Sequence, residues 1–268
     1  MAVDKRLARR HEETPSGPPR YPGPENGPRE VTAVTGAVRA LRDVAPRVRL
    51  AARRDPLIAA CVSGELLRRS LDVLTEVCAD AGPGASCHAR YTDVLVSFAR
   101  ARNFTARPPT APPGAAQVLE LANVLTRAVA HDLDEAALGH DLAAELVVVL
   151  DEAARARDPA RVLSLAPVAA VLAADLAREA ADRLGLPSAD GLADAVLDGA
   201  LDDFTDADLT DVDPADFRLT GIHWTEDGTR WPPGTDLDAL RRRSRETTPH
   251  SGVRVLGRRR SVRDARGS

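Results

Sequence analysis

Apolar residues return at helical intervals along most of this chain, and then, over 202–226, they change to a beat of five. From Val31 onward, Val34, Val38 and Leu41 keep a helical rhythm that Pro46 should break. In "DPLIAACVSGELLRRSLDVLTEVCADAG", Leu57, Cys61, Leu67, Leu71, Leu74 and Cys78 recur at helical spacing. Asp55 can cap this helix, Pro56 suits its first turn, and Gly82-Pro83-Gly84 ends it. "SCHARYTDVLVSFARARNF" predicts a third helix, capped by Ser86, with Tyr91, Leu95 and Phe98 on one face. "TARPPTAPPG" (105–114) is a proline-rich connector. "AAQVLELANVLTRAVAHDLD" and "EAALGHDLAAELVVVLDEAARARD" predict a fourth and a fifth helix. A sixth begins at Asp158-Pro159, restarts at Pro167 and stops at Gly185, and "ADGLADAVLDGALDDF" closes the series. Strands do not alternate with these helices, so the pattern predicts a mainly α fold, a multi-helix array over 31–200.

The segment from Asp202 to Glu226 divides into pentads: DDFTD, ADLTD, VDPAD, FRLTG, IHWTE. The first slot reads Asp, Ala, Val, Phe, Ile, and the third reads Phe, Leu, Pro, Leu, Trp. Apolar residues fill these two slots, and the other three are mostly polar or small. Within a pentad that is strand-like alternation, with a corner resetting the phase. "ADLTD" (207–211) and "FRLTG" (217–221) resemble the A-D/N-L-x-x unit of pentapeptide-repeat proteins, whereas "VDPAD" departs from it at Pro214. The resemblance implies a right-handed, four-sided β-helix with slots one and three pointing inward. Five pentads make little more than one coil, and repeat folds need several units to bury a core. The segment is therefore expected as an appendage that docks on or caps the helical array, with Trp224 and Trp231 as anchors. The competing reading is an irregular loop whose Ala/Asp/Leu-rich composition makes near-pentads by chance. The stretch from Ala207 to Leu256 is also similar to the C-terminal segment of uncharacterised actinobacterial proteins, which implies no activity.

Composition sharpens this picture. Apolar residues make up 44 % of the 268 positions but aromatics only 3 %, so the core must be aliphatic. A single lysine (Lys5) stands against 35 arginines, a bias that fits the codon habit of a high-GC bacterial genome. Residues 1–30 hold many prolines and few apolar side chains and read as a disordered leader. No apolar core of a signal peptide is visible in them. The longest uncharged apolar run, "VLSLAPVAAVLAA", has 13 residues and contains Pro167, too short to span a bilayer. A cytoplasmic protein with no membrane association is the expectation. The organisation read from the chain is a leader (1–30), a helical domain (31–200), a pentad segment (201–240) and a basic tail (241–268). Net charge is −4, but residues 190–240 carry 14 acidic and 2 basic groups, and residues 241–268 carry 10 arginines and 2 acids.

Candidate chemistry is sparse. Three cysteines, Cys61, Cys78 and Cys87, lack both a disulfide framework and the C-x2-C spacing of a metal site. "HDLDEAALGHDLAAE" repeats His-Asp-Leu nine residues apart, which places His131 and His140 on opposite sides of one helix. Ser86, Cys87 and His88 adjoin, but no strand precedes them and no G-x-S-x-G is present. No phosphate-binding glycine loop occurs. No catalytic, cofactor-binding or metal residue is nominated, and no cofactor is expected. The nominated contact residues are Trp224, Trp231, Arg241, Arg242, Arg243, Arg245, Arg258, Arg259 and Arg260. The arginines have three open readings: pairing with the chain's own acidic block or solvation, nucleic-acid binding, and a protein partner. The expected function is a non-enzymatic interaction or regulatory protein with an unidentified protein partner. Its alternatives are a nucleic-acid-associated protein using the tail and an enzyme with a helical-bundle site around Cys87, His88, His131 and His140.

Overall fold

The computed structural model describes residues 28–78, 85–101, 113–136, 159–213, 219–248 and 251–257, with 147–149, 152 and 155 as helical fragments. The leader before Pro28, Gly82-Pro83-Gly84, most of the 105–114 connector, His140, Asp158, Pro214 and Arg258 to Arg260 lie outside the described residues.

The helices follow the hydrophobic rhythm. They are α1 (Pro28–Asp43), α2 (Pro46–Ala52), α3 (Pro56–Cys78), α4 (Ala85–Ala101), α5 (Ala115–Glu135), α6 (Pro159–Leu163), α7 (Ala166–Leu184) and α8 (Leu192–Leu197). Pro46 separates α1 from α2, as expected of a residue that lacks the amide hydrogen. Asp55 caps α3, its Oδ1 accepting from the Leu57 N–H at 3.0 Å. Ser86 lies inside the first turn of α4, not ahead of it as the cap reading required. α7 ends at Gly185 with φ 68°, and the Leu186 N–H closes back on the Ala181 carbonyl at 2.9 Å.

α3 is the axis of the array. It is buried on most of its circumference, from Leu57 and Ile58 through Leu66, Leu67 and Leu71 to Leu74, the pattern of a core helix. Its N-terminal half packs with α1, α7 and α8, and its C-terminal half with α4, α5 and α6. Gly64 lets α7 approach: a Cβ there would stand 3.1 Å from Leu176 Cδ1. Cys61 is buried as the spacing predicts, but Cys78, on the same apolar register, is exposed. The stretch Pro159–Leu184 is long and apolar enough to cross a membrane by length and composition alone. It is longer than the uncharged run visible in the sequence because the charges of α7 fall only in its second half. A turn at Ser164–Leu165 divides it, and Leu172 and Leu176 face the array core.

The remaining elements, β1 (His223–Trp224), α9 (Leu237–Arg243), β2 (Ser244–Glu246) and β3 (Arg254–Leu256), build a second unit. β1, β3 and β2 form a small antiparallel sheet in that order. Parallel bridges join Asp203 to His223 and Asp208 to Arg230. The core of this unit is Phe204, Ala207, Leu209, Val212, Ile222, Trp224, Leu240 and Leu256, completed by Leu50 of α2. No break falls between Leu240 and Arg241: α9 runs through the boundary drawn there from charge alone, and the tail's first residues continue into β2. Asp236 caps α9, accepting from the Ala239 N–H at 2.8 Å.

Candidate functional site

The pentad beat can now be followed as burial. In slot one, Ala207, Val212 and Ile222 are buried; in slot three, Phe204, Leu209 and Trp224 are buried and Leu219 is half-buried. Between them Asp206, Asp208, Thr210, Asp211, Asp213 and Glu226 are exposed. The chain returns on itself in parallel: the Phe204 N–H donates to the His223 carbonyl at 2.8 Å, and the His223 N–H to the Asp202 carbonyl at 2.7 Å. Thr225 Oγ1 donates to the Thr205 carbonyl, 20 residues back, at 2.6 Å. Corners repeat one device. Asp203 Oδ1 accepts from the N–H and hydroxyl of Thr205, and Asp208 Oδ1 does the same for Thr210. The acidic beat is thus two functions in one: aspartates fold the corners and solvate the outside, and the alternate slots fill the inside.

The tryptophans work differently from expectation. Trp224 is 1 % exposed, packs within its own unit, and donates Nε1–H to Ser244 Oγ at 2.9 Å. Trp231 meets it edge to face, centroids 5.7 Å apart. Together they staple the C-terminal unit internally. The anchor to the array is instead Arg49 and Leu50 of α2. Arg49 is 4 % exposed, its guanidinium lies 4.6 Å over the Phe204 ring, and Nη1 donates to the Asp203 carbonyl at 2.5 Å. Arg42 pairs with the Asp203 carboxylate at 2.7 Å. Arg53 pairs with Asp202 at 2.6 Å and donates to the Thr220 carbonyl at 2.6 Å. Burial pushes the Asp203 carboxyl up, but hydrogen bonds from Thr205 and Arg42 outweigh it and hold the group below the usual carboxylate range.

The nominated arginines divide. Arg241 is bound by Glu226 and Asp238, and Arg254 also reaches Glu226, at 3.1 Å. Arg241 holds the Glu226 carboxyl below its usual range. Arg242 is exposed, with Asp236 no closer than 3.9 Å. Arg243 is half-buried, and Arg245 is exposed with no side-chain partner among the described residues. The Gly257 N–H donates to the Arg243 carbonyl at 2.9 Å.

Of the residues of the enzyme reading, Cys87 is buried and His88 half-buried on α4, and His140 lies outside the described residues. Cys61 is buried between α3 and its neighbours, and burial pushes its thiol up to about 12. Burial likewise raises the Cys87 thiol. His131 is exposed on α5 and lies 3.8 Å from Glu135. Among the described residues no three His, Cys, Asp or Glu side chains are grouped to hold a metal. A cleft of about 750 Å³ lies between α1, α3, α4 and α8. Arg68, Arg69, Arg90 and Arg100 line it with Asp72, Asp93, Asp194 and Asp198, equal numbers of each sign. Its guanidinium groups are engaged: Arg68 with Glu65 and Asp72, Arg69 with Glu65 and Asp194, Arg90 with Glu76. Arg69 in this way ties α3 to α8, and the cleft reads as an inter-helix ion-pair network.

No protein-family description, no curated protein and no solved structure matches this chain.

Proposed function

We propose that this chain is a non-enzymatic interaction or regulatory protein, in which the helical array carries a short pentapeptide-repeat-like coil that meets a protein partner. The observation that carries the reading is the division of labour in the C-terminal unit. Its inner slots are spent on packing, and its outward side chains are mostly charged. Supporting the coil assignment are the buried first and third slots and the return of the chain 20 residues on, the length of four pentads. A partner must therefore be recognised by the outer side chains, through charge complementarity. The test is affinity capture from the host with the full chain and with Asp206→Asn/Asp211→Asn/Asp213→Asn, folding being verified by amide exchange. A partner held by the wild type and lost from the variant supports the reading. Equal recovery with both sinks it.

A second reading, nucleic-acid association through the C-terminal arginines, is favoured by Arg245, exposed and without a side-chain partner among the described residues, and by Arg242, exposed and paired only at 3.9 Å among them. It requires duplex DNA binding that weakens steeply with salt and falls when both are changed to alanine.

A further inference from the structure

A run of arginines lies along the end of α1, α2 and the turn that follows it. Residues 39–54 hold six arginines, Arg39, Arg42, Arg47, Arg49, Arg53 and Arg54, against the single acid Asp43. They divide by what they touch. Arg42, Arg49 and Arg53 reach into the C-terminal unit, where Asp203, Asp202 and the carbonyls of Asp203 and Thr220 receive them. Arg39, Arg47 and Arg54 are exposed, and no described residue supplies their side chains with a hydrogen-bond or ion-pair partner.

Three features of the contact matter. First, Arg42 remains 62 % exposed while paired, so its guanidinium has donors left for a second anion. Second, the two carboxylates sit at the joint between the units. Ala200 and Leu201 belong to the array core, and Phe204 to the C-terminal core, so Asp202 and Asp203 span the boundary. Third, the surface is poor in apolar side chains: Val48 is the one large exposed apolar residue of α2. A lipid surface would need such residues to anchor in; a phosphodiester backbone needs guanidinium groups alone.

We propose that the α1–α2 arginine surface binds the phosphate backbone of nucleic acid, and that Asp202 and Asp203 are its built-in competitor. Each aspartate occupies a guanidinium that a phosphate would otherwise take. Arg39, Arg47 and Arg54 make the first contact, and Arg42 and Arg53 join when the aspartates yield them. The site differs from the C-terminal arginines of the second reading above, and it makes a prediction that no simple basic patch makes: neutralising two acids at the joint strengthens binding.

The experiment is fluorescence anisotropy of a labelled duplex with the full chain across a salt series. The wild type should bind weakly. Asp202→Asn/Asp203→Asn should bind about tenfold more tightly at low salt. Its slope of log affinity against log salt should steepen by about 0.9 for each phosphate gained. Arg39→Gln/Arg47→Gln/Arg54→Gln should lose binding, and Arg242→Ala/Arg245→Ala should keep the gain when combined with the aspartate change. Amide exchange at Phe204 and His223 confirms that the coil persists in each variant. If the aspartate variant unfolds, Asp202→Asn alone, which releases Arg53 and leaves the Asp203 turn in place, must tighten binding and steepen the slope relative to the wild type. Unchanged affinity in a folded aspartate variant overturns the proposal. So does a gain that disappears with Arg242 and Arg245, which assigns the contact to the other face. Stronger binding of the variant to phosphatidylserine vesicles than to the duplex overturns it too, because the surface would then serve a membrane.

Discussion

The helical array and the C-terminal unit bury their apolar residues by opposite means. In the array, backbone hydrogen bonds are local and side chains do the long-range work, with Leu, Val and Ala of separate helices meeting around α3. In the C-terminal unit, the backbone itself makes the long-range contacts, Phe204 to His223 and Leu209 to Arg230, and among the described residues its core is small, with Phe204 and Trp224 as its buried aromatics and Leu50 of α2 completing it. The difference teaches how much error each tolerates. A helix that loses a neighbour keeps its own hydrogen bonds. A unit tied by backbone bonds between distant segments loses those bonds when one segment leaves.

The largest effects should separate the two regions. Trp224→Ala should cost about 3–5 kcal/mol and Leu71→Ala about 2–5 kcal/mol. The first should strip amide protection from residues 202–256 and leave α3 and α5 slow to exchange, and the second should expose α3. If Trp224→Ala speeds exchange in α3 as much as in β1, the two regions are one cooperative unit and the comparison fails.

Glycine substitutions should sharpen it at a smaller scale. A Cβ on Gly228 would lie 2.1 Å from the Thr205 carbonyl oxygen, a backbone atom of the adjacent rung. Gly228→Ala should cost about 1–3 kcal/mol, as overpacking does. A Cβ on Gly64 meets the flexible end of Leu176, and alanine favours helix by about 1 kcal/mol over glycine, so Gly64→Ala should be close to neutral. Chemical denaturation of both variants checks the contrast.

Acid should act more gently. The Asp203 carboxyl is held below its usual range in the fold, so its contribution is present above the unfolded value of about 3.9 and is lost as pH falls through the lower, folded value. Glu226, depressed by Arg241, follows the same sign. Both tryptophans lie in the C-terminal unit, so their fluorescence reports on it alone. It should hold constant above about pH 4 and change below that. A change between pH 5 and 8 would show that other groups control the contact.

Most of the array was legible because helical periodicity is local. The break at Pro46, the Asp55 cap, the restart at Pro167 and the stop at Gly185 each depend on a few neighbouring residues. The burial of slots one and three was legible for the same reason. Two things were not. The periodicity that puts Cys78 on the apolar face says nothing about whether a neighbour covers the last turn of α3. Nor can charge counts choose among 35 arginines for the partners of Asp202 and Asp203. The acids lie near the C-terminal tail in sequence, yet three-dimensional packing gives them to Arg42 and Arg53, and leaves Glu226 for Arg241. Trp224 shares its core with Leu50 of α2, a long-range neighbour that no local pattern announces.

Arg49 donates to a carbonyl 154 residues further along the chain. Synthesis at about 5–20 residues per second separates the two by on the order of ten seconds or more. During that interval α2 is already outside the ribosome, with Leu50 lacking the core it will enter and Arg49 lacking the ring it will lie over. An early segment is thus completed by one made 154 residues later, and a nascent chain stalled before Phe204 presents a naked leucine and an unstacked cation to whatever chaperone or polyanion is near.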